Sequence, residues 1–289
     1  MKKSRGEIIF NVVNNLFMLL VGCMAIFPVI NILARSLSSI EMVAGGEVYL
    51  FPKGFNLRGW KYVLNQTNFL VCLRNSVIIT SCGTVLGLAI TTLTAYALSH
   101  KELVGRHLII GLYVFFMIFS AGIVPDYFQI KEYGLLNTYG ALIFPCLLNP
   151  YYMFVLKSNF EHIPSSLEEA ARIDGASWTQ TFWTVILPVA KAAEATIVVF
   201  ISVSYWNRYF DALMYITRGD RKPITLFLYE FIKLAQPGEG LGDLDLMATV
   251  SPDIMHASAV ILTVLPIVAV YPFLQRYFVK GMLVGSVKG

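Results

Sequence analysis

Apolar residues in this chain come in long blocks separated by short polar stretches, and the block length matches a bilayer crossing. A spanning helix needs about 20 predominantly apolar residues. Six such blocks stand at residues 8–34, 71–98, 106–124, 139–156, 192–215 and 254–278. The pattern predicts an all-α polytopic membrane protein with six transmembrane helices. The first block follows Lys2, Lys3 and Arg5, as a signal peptide would. Its apolar core continues past Phe27-Pro28 into Val29–Leu33 without a small-residue cleavage site, so it is expected to be a retained anchor. Residues 1–70 then form the anchor helix and first outer loop, 71–280 the transmembrane core, and 281–289 a cytoplasmic tail.

Lys and Arg orient the spans. With the N-terminus inside, the inner stretches (1–7, 99–106, 157–191 and 276–289) hold 11 Lys and Arg in 64 residues. The outer stretches (35–70, 125–139 and 216–253) hold 9 in 89. This density difference predicts that both termini are inside. The spans also carry signs of helix contact. Gly83 and Gly87 form a GxxxG pair that Thr91 and Ala95 continue at the same step, a stripe on which backbones can approach closely. Pro28, Pro145, Pro150, Pro266 and Pro272 are expected to bend or break their helices. No repeat relates the first three spans to the last three, which weighs against the usual secondary-transporter plan.

Composition agrees: 56% of residues are hydrophobic and 14% charged, against roughly a quarter charged in soluble domains. A net charge of +4, dispersed along the chain, excludes a nucleic-acid footprint. Cys23, Cys72, Cys82 and Cys146 have neither disulfide nor metal spacing, and His100, His107, His162 and His256 are scattered, so no metal site is expected. There is no phosphate-binding G-x-x-x-x-G-K-[ST] loop. Gly238–Gly242 has glycine spacing but no βαβ context, and reads as flexible outer loop.

The informative segment is the inner loop 157–191. Ser165-Ser166-Leu167-Glu168 has capping-box order, which predicts a helix from about Ser166 to Ile173 with Ser165 as its N-cap. Gly175 supplies the turn. A second helix is expected from Ser177, with Trp178, Phe182, Val185 and Ile186 as its apolar stripe, running until Pro188 begins the next span. The result is a cytoplasmic helix-turn-helix.

Its residue order resembles a known element. Glu169-Ala170-Ala171, Gly175 after three residues, and Val185-Ile186-Leu187-Pro188 are similar to the EAA loop of ATP-binding-cassette importer permeases, with Val185 where Ile is usual. Thr94–Ser99, Phe119–Pro125 and Trp206–Leu213 extend the resemblance over roughly residues 70–235, in the carbohydrate-uptake branch. The whole resembles the smaller, maltose-system-like permease, within the subgroup of lipoprotein-linked oligosaccharide and polysaccharide importers. That resemblance implies a permease subunit of the bacterial cytoplasmic membrane, importing oligosaccharides or polysaccharide fragments. It implies four partners: a second homologous permease, a cytoplasmic ATPase dimer, an extracytoplasmic sugar-binding lipoprotein and the lipid bilayer. The chain itself binds no cofactor, ATP and Mg being held by the ATPase subunits. Glu168, Glu169, Ala170, Ala171, Arg172, Asp174, Gly175, Leu187 and Pro188 are then the ATPase-coupling residues. Small Ala170 and Ala171 let a helix sit deep in a partner groove, and Glu169 offers a charge-assisted contact.

Charges inside spans are candidates for the transport path. Arg208 and Asp211 lie three residues apart, either as an interfacial pair or as substrate contacts. Tyr205, Trp206 and Asn207 in the fifth span, with Asn149, Tyr151 and Tyr152 in the fourth, supply aromatic faces and amides suited to sugars; an interfacial aromatic belt is the other reading. By the resemblance, outer loop 216–253 reaches toward a docked binding protein. Two other classes stay open at this level. A stand-alone secondary transporter or channel for a small polar solute would work without ATP. A membrane-embedded enzyme would need clustered His, Asp, Glu or Cys within the spans, and none is found.

Overall fold

In a computed structural model, the structure describes residues 5–234 and 251–286. Every regular element among them is helical. Two compact units emerge, one from residues 1–70 and 228–266 and the other from 71–227 and 267–289.

In the first unit, α1 (Arg5–Ser36) is a single helix that passes through Pro28 unbroken. Pro removes one ladder bond, and flanking turns carry a membrane helix across that gap. Its N-terminal two-thirds is predominantly apolar and exposed, with Ile9, Phe10 and Leu16 uncovered and Glu7, Asn11, Asn14 and Asn15 as its polar positions. Apolar helix surface of this extent is what lipid or another chain covers. Its C-terminal end is anchored: Ala34 packs with Val43, Val48 and Ile254. The Asn31 amide donates to Tyr49 O at 2.8 Å, and Arg35 pairs with Asp253 at 3.3 Å. α2 (Ile40–Ala44), α3 (Arg58–Gln66), the end of α13 (Ile224–Leu234) and the first part of α14 (Pro252–Ser286) complete this unit.

The second unit is built on an antiparallel pair, α4 (Phe69–Ser99) and α11 (Leu187–Trp206). The small-residue stripe of α4 faces α11. A Cβ on Gly83 would strike the Tyr205 ring at 2.6 Å, and one on Gly87 would lie 3.6 Å from Ile201 Cγ2. Farther along, Thr92 Oγ1 lies 2.9 and 2.8 Å from the two carboxylate oxygens of Glu194. Around the pair stand α5 (Arg106–Ile118), α6 (Ile123–Glu132), α7 (Gly140–Ile143), α8 (Pro150–Glu161) and α12 (Tyr209–Tyr215).

Among the described residues, four helices are long and apolar enough to cross a bilayer, and up to six spans result when each of two bent helix pairs counts as one. The bent pairs depart from the sequence expectation. The third span does not run straight to Val124: α5 ends at Ile118, and α6 leaves at 116° to it. Thirteen residues of helix are only about 20 Å long, short of a 30 Å hydrocarbon core. In the fourth, α7 with a 3₁₀ turn (Phe144–Cys146) meets α8 at 45°, with Pro145 and Pro150 flanking the break. Pro266 and Pro272 fall inside α14, which continues to residue 286 and so takes in much of the expected tail.

Between α8 and α11 the structure revises the expected loop. α9 (Ser165–Ile173) begins one residue early, with Pro164 at its N-cap and no side-chain cap. The capping box lies instead on α10 (Trp178–Thr181), where Ser177 N–H donates to Gln180 Oε1 at 2.8 Å and Gln180 N–H to Ser177 Oγ at 3.3 Å. Nor does the chain break at Pro188. A π turn (Phe182–Ile186) joins α10 to α11, so residues 178–206 form one 29-residue helix. Leu187 N–H reaches back five residues to Phe182 O. The wider turn gives room for the Pro188 ring, which in a tight α ladder clashes with the carbonyl four residues back. The fifth span also ends early, at Trp206, before α12 restarts at Tyr209.

Candidate functional site

Two places in the second unit bring candidate residues together. One is the α9 turn. Gly175 sits at φ +86°, a conformation that costs an L side chain about 1–2 kcal/mol. It lets Ala176 N–H close back on Ala171 O at 2.9 Å and so reverses the chain. α9 has no buried residue, and Leu167 is 40% and Ile173 86% exposed. Glu169, Ala170 and Asp174 are exposed with them, while Ala171 is half-buried. Leu187 and Pro188 stand apart, in the first turn of α11 beyond the π turn. Glu168 is half-buried, and its carboxylate meets the His100 ring at 3.1 Å. Arg172 lays its guanidinium over Trp178, 4.3 Å from the ring centroid. An exposed apolar face with a carboxylate beside it, on a short helix tied at both ends, can dock into another protein.

Helix ends are bound to one another nearby. Arg106, which opens α5, donates through Nε to Leu98 O at 2.9 Å and through Nη2 to Glu161 Oε1 at 2.7 Å. Lys157 reaches the same carboxylate at 2.7 Å.

The other place is a cavity of about 830 Å³. Asn149, Tyr152, Tyr205, Arg208 and Asp211 all line it; Tyr151, Trp206 and Asn207 do not. Asn149 caps α8, its Oδ1 accepting from Tyr151 N–H at 3.0 Å and Tyr152 N–H at 3.3 Å. Tyr152 stacks on Phe200, with ring centroids 6.0 Å apart. Tyr205 is buried and donates its hydroxyl to Ile143 O at 3.0 Å. Arg208 precedes α12 and pairs with Asp211 in its first turn, the two side chains 29% and 31% exposed. The pair is therefore a feature of the cavity wall. Trp206 is buried outside the cavity, and Tyr151 is exposed.

Sequence reasoning missed part of this lining. Asp126, Gln129 and Tyr133 enter it from α6, and Thr91 from α4. The apolar pattern places Asp126, Gln129 and Tyr133 in an outer loop; their i, i+3, i+7 spacing is the signal that puts them on one helix face.

A polar clamp holds the segment after α12. The buried Asn75 amide donates to Asp220 O at 2.9 Å and Lys222 O at 3.0 Å, and Asn137 Oδ1 accepts from Thr217 N–H at 2.7 Å. Arg218 beside Asp220 holds that carboxyl below its ordinary range. The middle of the expected binding-protein loop, including Gly238–Gly242, lies outside the described residues. No group of three or more metal-ligating side chains forms among the described residues.

Comparisons with known proteins agree with one another. A family model described as binding-protein-dependent transport system inner membrane component matches residues 8–284. The Bacillus subtilis protein LplC is 38% identical over 289 residues, 100% of this chain and 98% of its own length. A second B. subtilis relative, the polygalacturonan/rhamnogalacturonan transport system permease protein YtcP, is 35% identical over 94% of this chain and 96% of its own. Among solved structures, a chain of a bacterial ABC transporter involved in import of the acidic polysaccharide alginate superposes with TM-score 0.88 at 29% identity. That match covers 96% of this chain and 99% of the other.

Proposed function

Since the chain belongs to the binding-protein-dependent transport system inner membrane component family, and is thus a multi-pass permease subunit of an ABC importer whose ATPase lies in separate subunits, we propose that its cargo is an oligosaccharide or polysaccharide fragment. The observation that carries this reading is the cavity. It sets the half-buried aromatic ring of Tyr152 beside the Arg208–Asp211 pair and the Asn149 cap, with the buried Tyr205 behind them. Aromatic faces cover the C–H surface of a sugar ring, and the paired ions offer both donors and acceptors to hydroxyls. LplC apart, the named relatives above act on polysaccharides, which supports the same class.

Importer permeases of this kind work with a partner permease, an ATPase and a substrate-binding protein. In the finer reading, the partner permease is homologous, the ATPase is a cytoplasmic dimer holding ATP and Mg, and the binding protein is a lipoprotein. Both termini and the α9 turn lie on the cytoplasmic side, where Glu169 and the exposed face of α9 meet the ATPase. The mechanism is alternating access, with α9 passing ATPase closure to the spans.

Reconstitution of the chain with its three partner components in vesicles tests this reading. ATP-dependent accumulation of a labelled oligosaccharide is expected. Uptake by the chain alone, driven by an ion gradient and indifferent to ATP, would overturn it.

A further inference from the structure

The two adjacent glutamates of α9 are turned to different work by the fold. Glu169 is exposed, while Glu168 is drawn back against the end of α4. His100 follows directly on the last residue of α4 and fills the gap between the elements. Its Nδ1 lies 2.9 Å from Tyr96 O and its Nε2 3.1 Å from Glu168 Oε2. A carbonyl oxygen only accepts, so Nδ1 carries a hydrogen. The second contact then needs one proton between Nε2 and the carboxylate, on either partner. The ring is also caged. Tyr96 meets it edge-on at 4.7 Å and Trp178 at 5.2 Å between centroids. Trp178 in turn carries Arg172 from the last turn of α9. Both ends of α9 are thus referred to one imidazole at the end of α4.

We propose that His100 is a positioning residue for coupling, and that Glu168 is an internal brace rather than an ATPase contact. Through this brace, motion of α9 reaches α4 directly, in addition to the covalent route through α10 into α11. The destination matters, because Thr91 of the same α4 lines the cavity and Gly83 and Gly87 seat α11. One imidazole then links the docking helix to a wall of the transport path, a contiguous route of packed and hydrogen-bonded groups. The inference rests on α9 being the ATPase-coupling helix.

The test uses the complete importer in vesicles and reads cargo transported per ATP hydrolysed, alongside ATPase turnover and complex yield. His100→Ala and Glu168→Ala are each expected to lower that ratio by about threefold or more while ATPase turnover and assembly persist. The double variant should be no worse than either single one. His100→Arg, which keeps N–H donors facing the carboxylate, should recover the ratio. If His100→Ala fails to assemble, the exchange His100→Glu with Glu168→Arg decides: recovery of the ratio supports the brace, and no recovery overturns it. An unchanged ratio in His100→Ala, or additive losses in the double variant, also overturns it. Glu169→Lys serves as the control for the underlying reading. If it leaves ATPase stimulation and uptake normal, α9 is not the coupling helix; if it abolishes both while His100→Ala is normal, only the brace fails.

Discussion

The ring of Tyr205 rests directly on Gly83, so close that a methyl group there would lie 2.6 Å from ring carbons. Its hydroxyl is fixed at the same time by Ile143 O, so the ring has nowhere to retreat. Gly83→Ala is therefore expected to destabilise the permease by about 1–3 kcal/mol, the usual range for overpacking. Thermal unfolding of the purified complex checks this. Adding Tyr205→Ala should relieve the strain and leave a smaller net deficit than Tyr205→Ala produces alone.

Glu194 is buried in the middle of a span, and Thr92 Oγ1 is its hydrogen-bond donor. One hydroxyl proton serves two carboxylate oxygens. Thr92→Val removes it and should cost about 1–3 kcal/mol, the penalty for stranding a buried polar group. Glu194→Gln keeps the volume and lightens the desolvation burden, so it is expected to match or exceed wild-type stability. Denaturation midpoints of the two variants in detergent compare them directly.

The turn at Gly175 makes a sharper functional prediction. Gly175→Ala must hold a Cβ at φ +86° and should strain the turn by about 1–2 kcal/mol. Nothing lies near the added methyl, so a clash is not the cause. Membrane insertion should be normal and uptake reduced. Gly175→Pro, which cannot take a positive φ at all, should abolish uptake.

Breaking the cavity pair separates affinity from stability. Because both side chains are about a third exposed, Arg208→Gln should cost only about 0.5–1 kcal/mol of stability. Uptake should fall much further, with the apparent KM for cargo rising. Asp211→Asn should behave alike, and equal KM values for wild type and both variants would remove the pair from the path.

Much of this architecture was legible in the chain. Length and apolar blocks mark the spans, and the Gly83, Gly87, Thr91 and Ala95 stripe marks the face that receives α11, because small residues at a four-residue step leave a groove in any helix. The directions of the bends were not legible. Pro145 and Pro150 announce a break, but packing sets the 45° at which α8 leaves. The capping box was misplaced because two segments carry cap chemistry and local order does not rank them. Glu168 had a competing partner 68 residues away in His100, which no short-range pattern reveals. Continuity across Pro188 depends on the π turn, and the sequence around it holds no breaker other than the proline itself.

That π turn has a mechanical meaning. Each residue of an α-helix advances about 100° around the axis, so the one extra residue in Phe182–Ile186 shifts the phase of everything before it relative to everything after. Trp178 can thus face His100 at one end while Ile201 and Tyr205 face Gly87 and Gly83 at the other. The segment works as a gear offset: its length, more than its side chains, fixes how the α10 end is clocked against the end that seats on α4. Removing a single residue there would close the ladder onto the Pro188 ring and turn the Trp178 end by about 100° against the Tyr205 end.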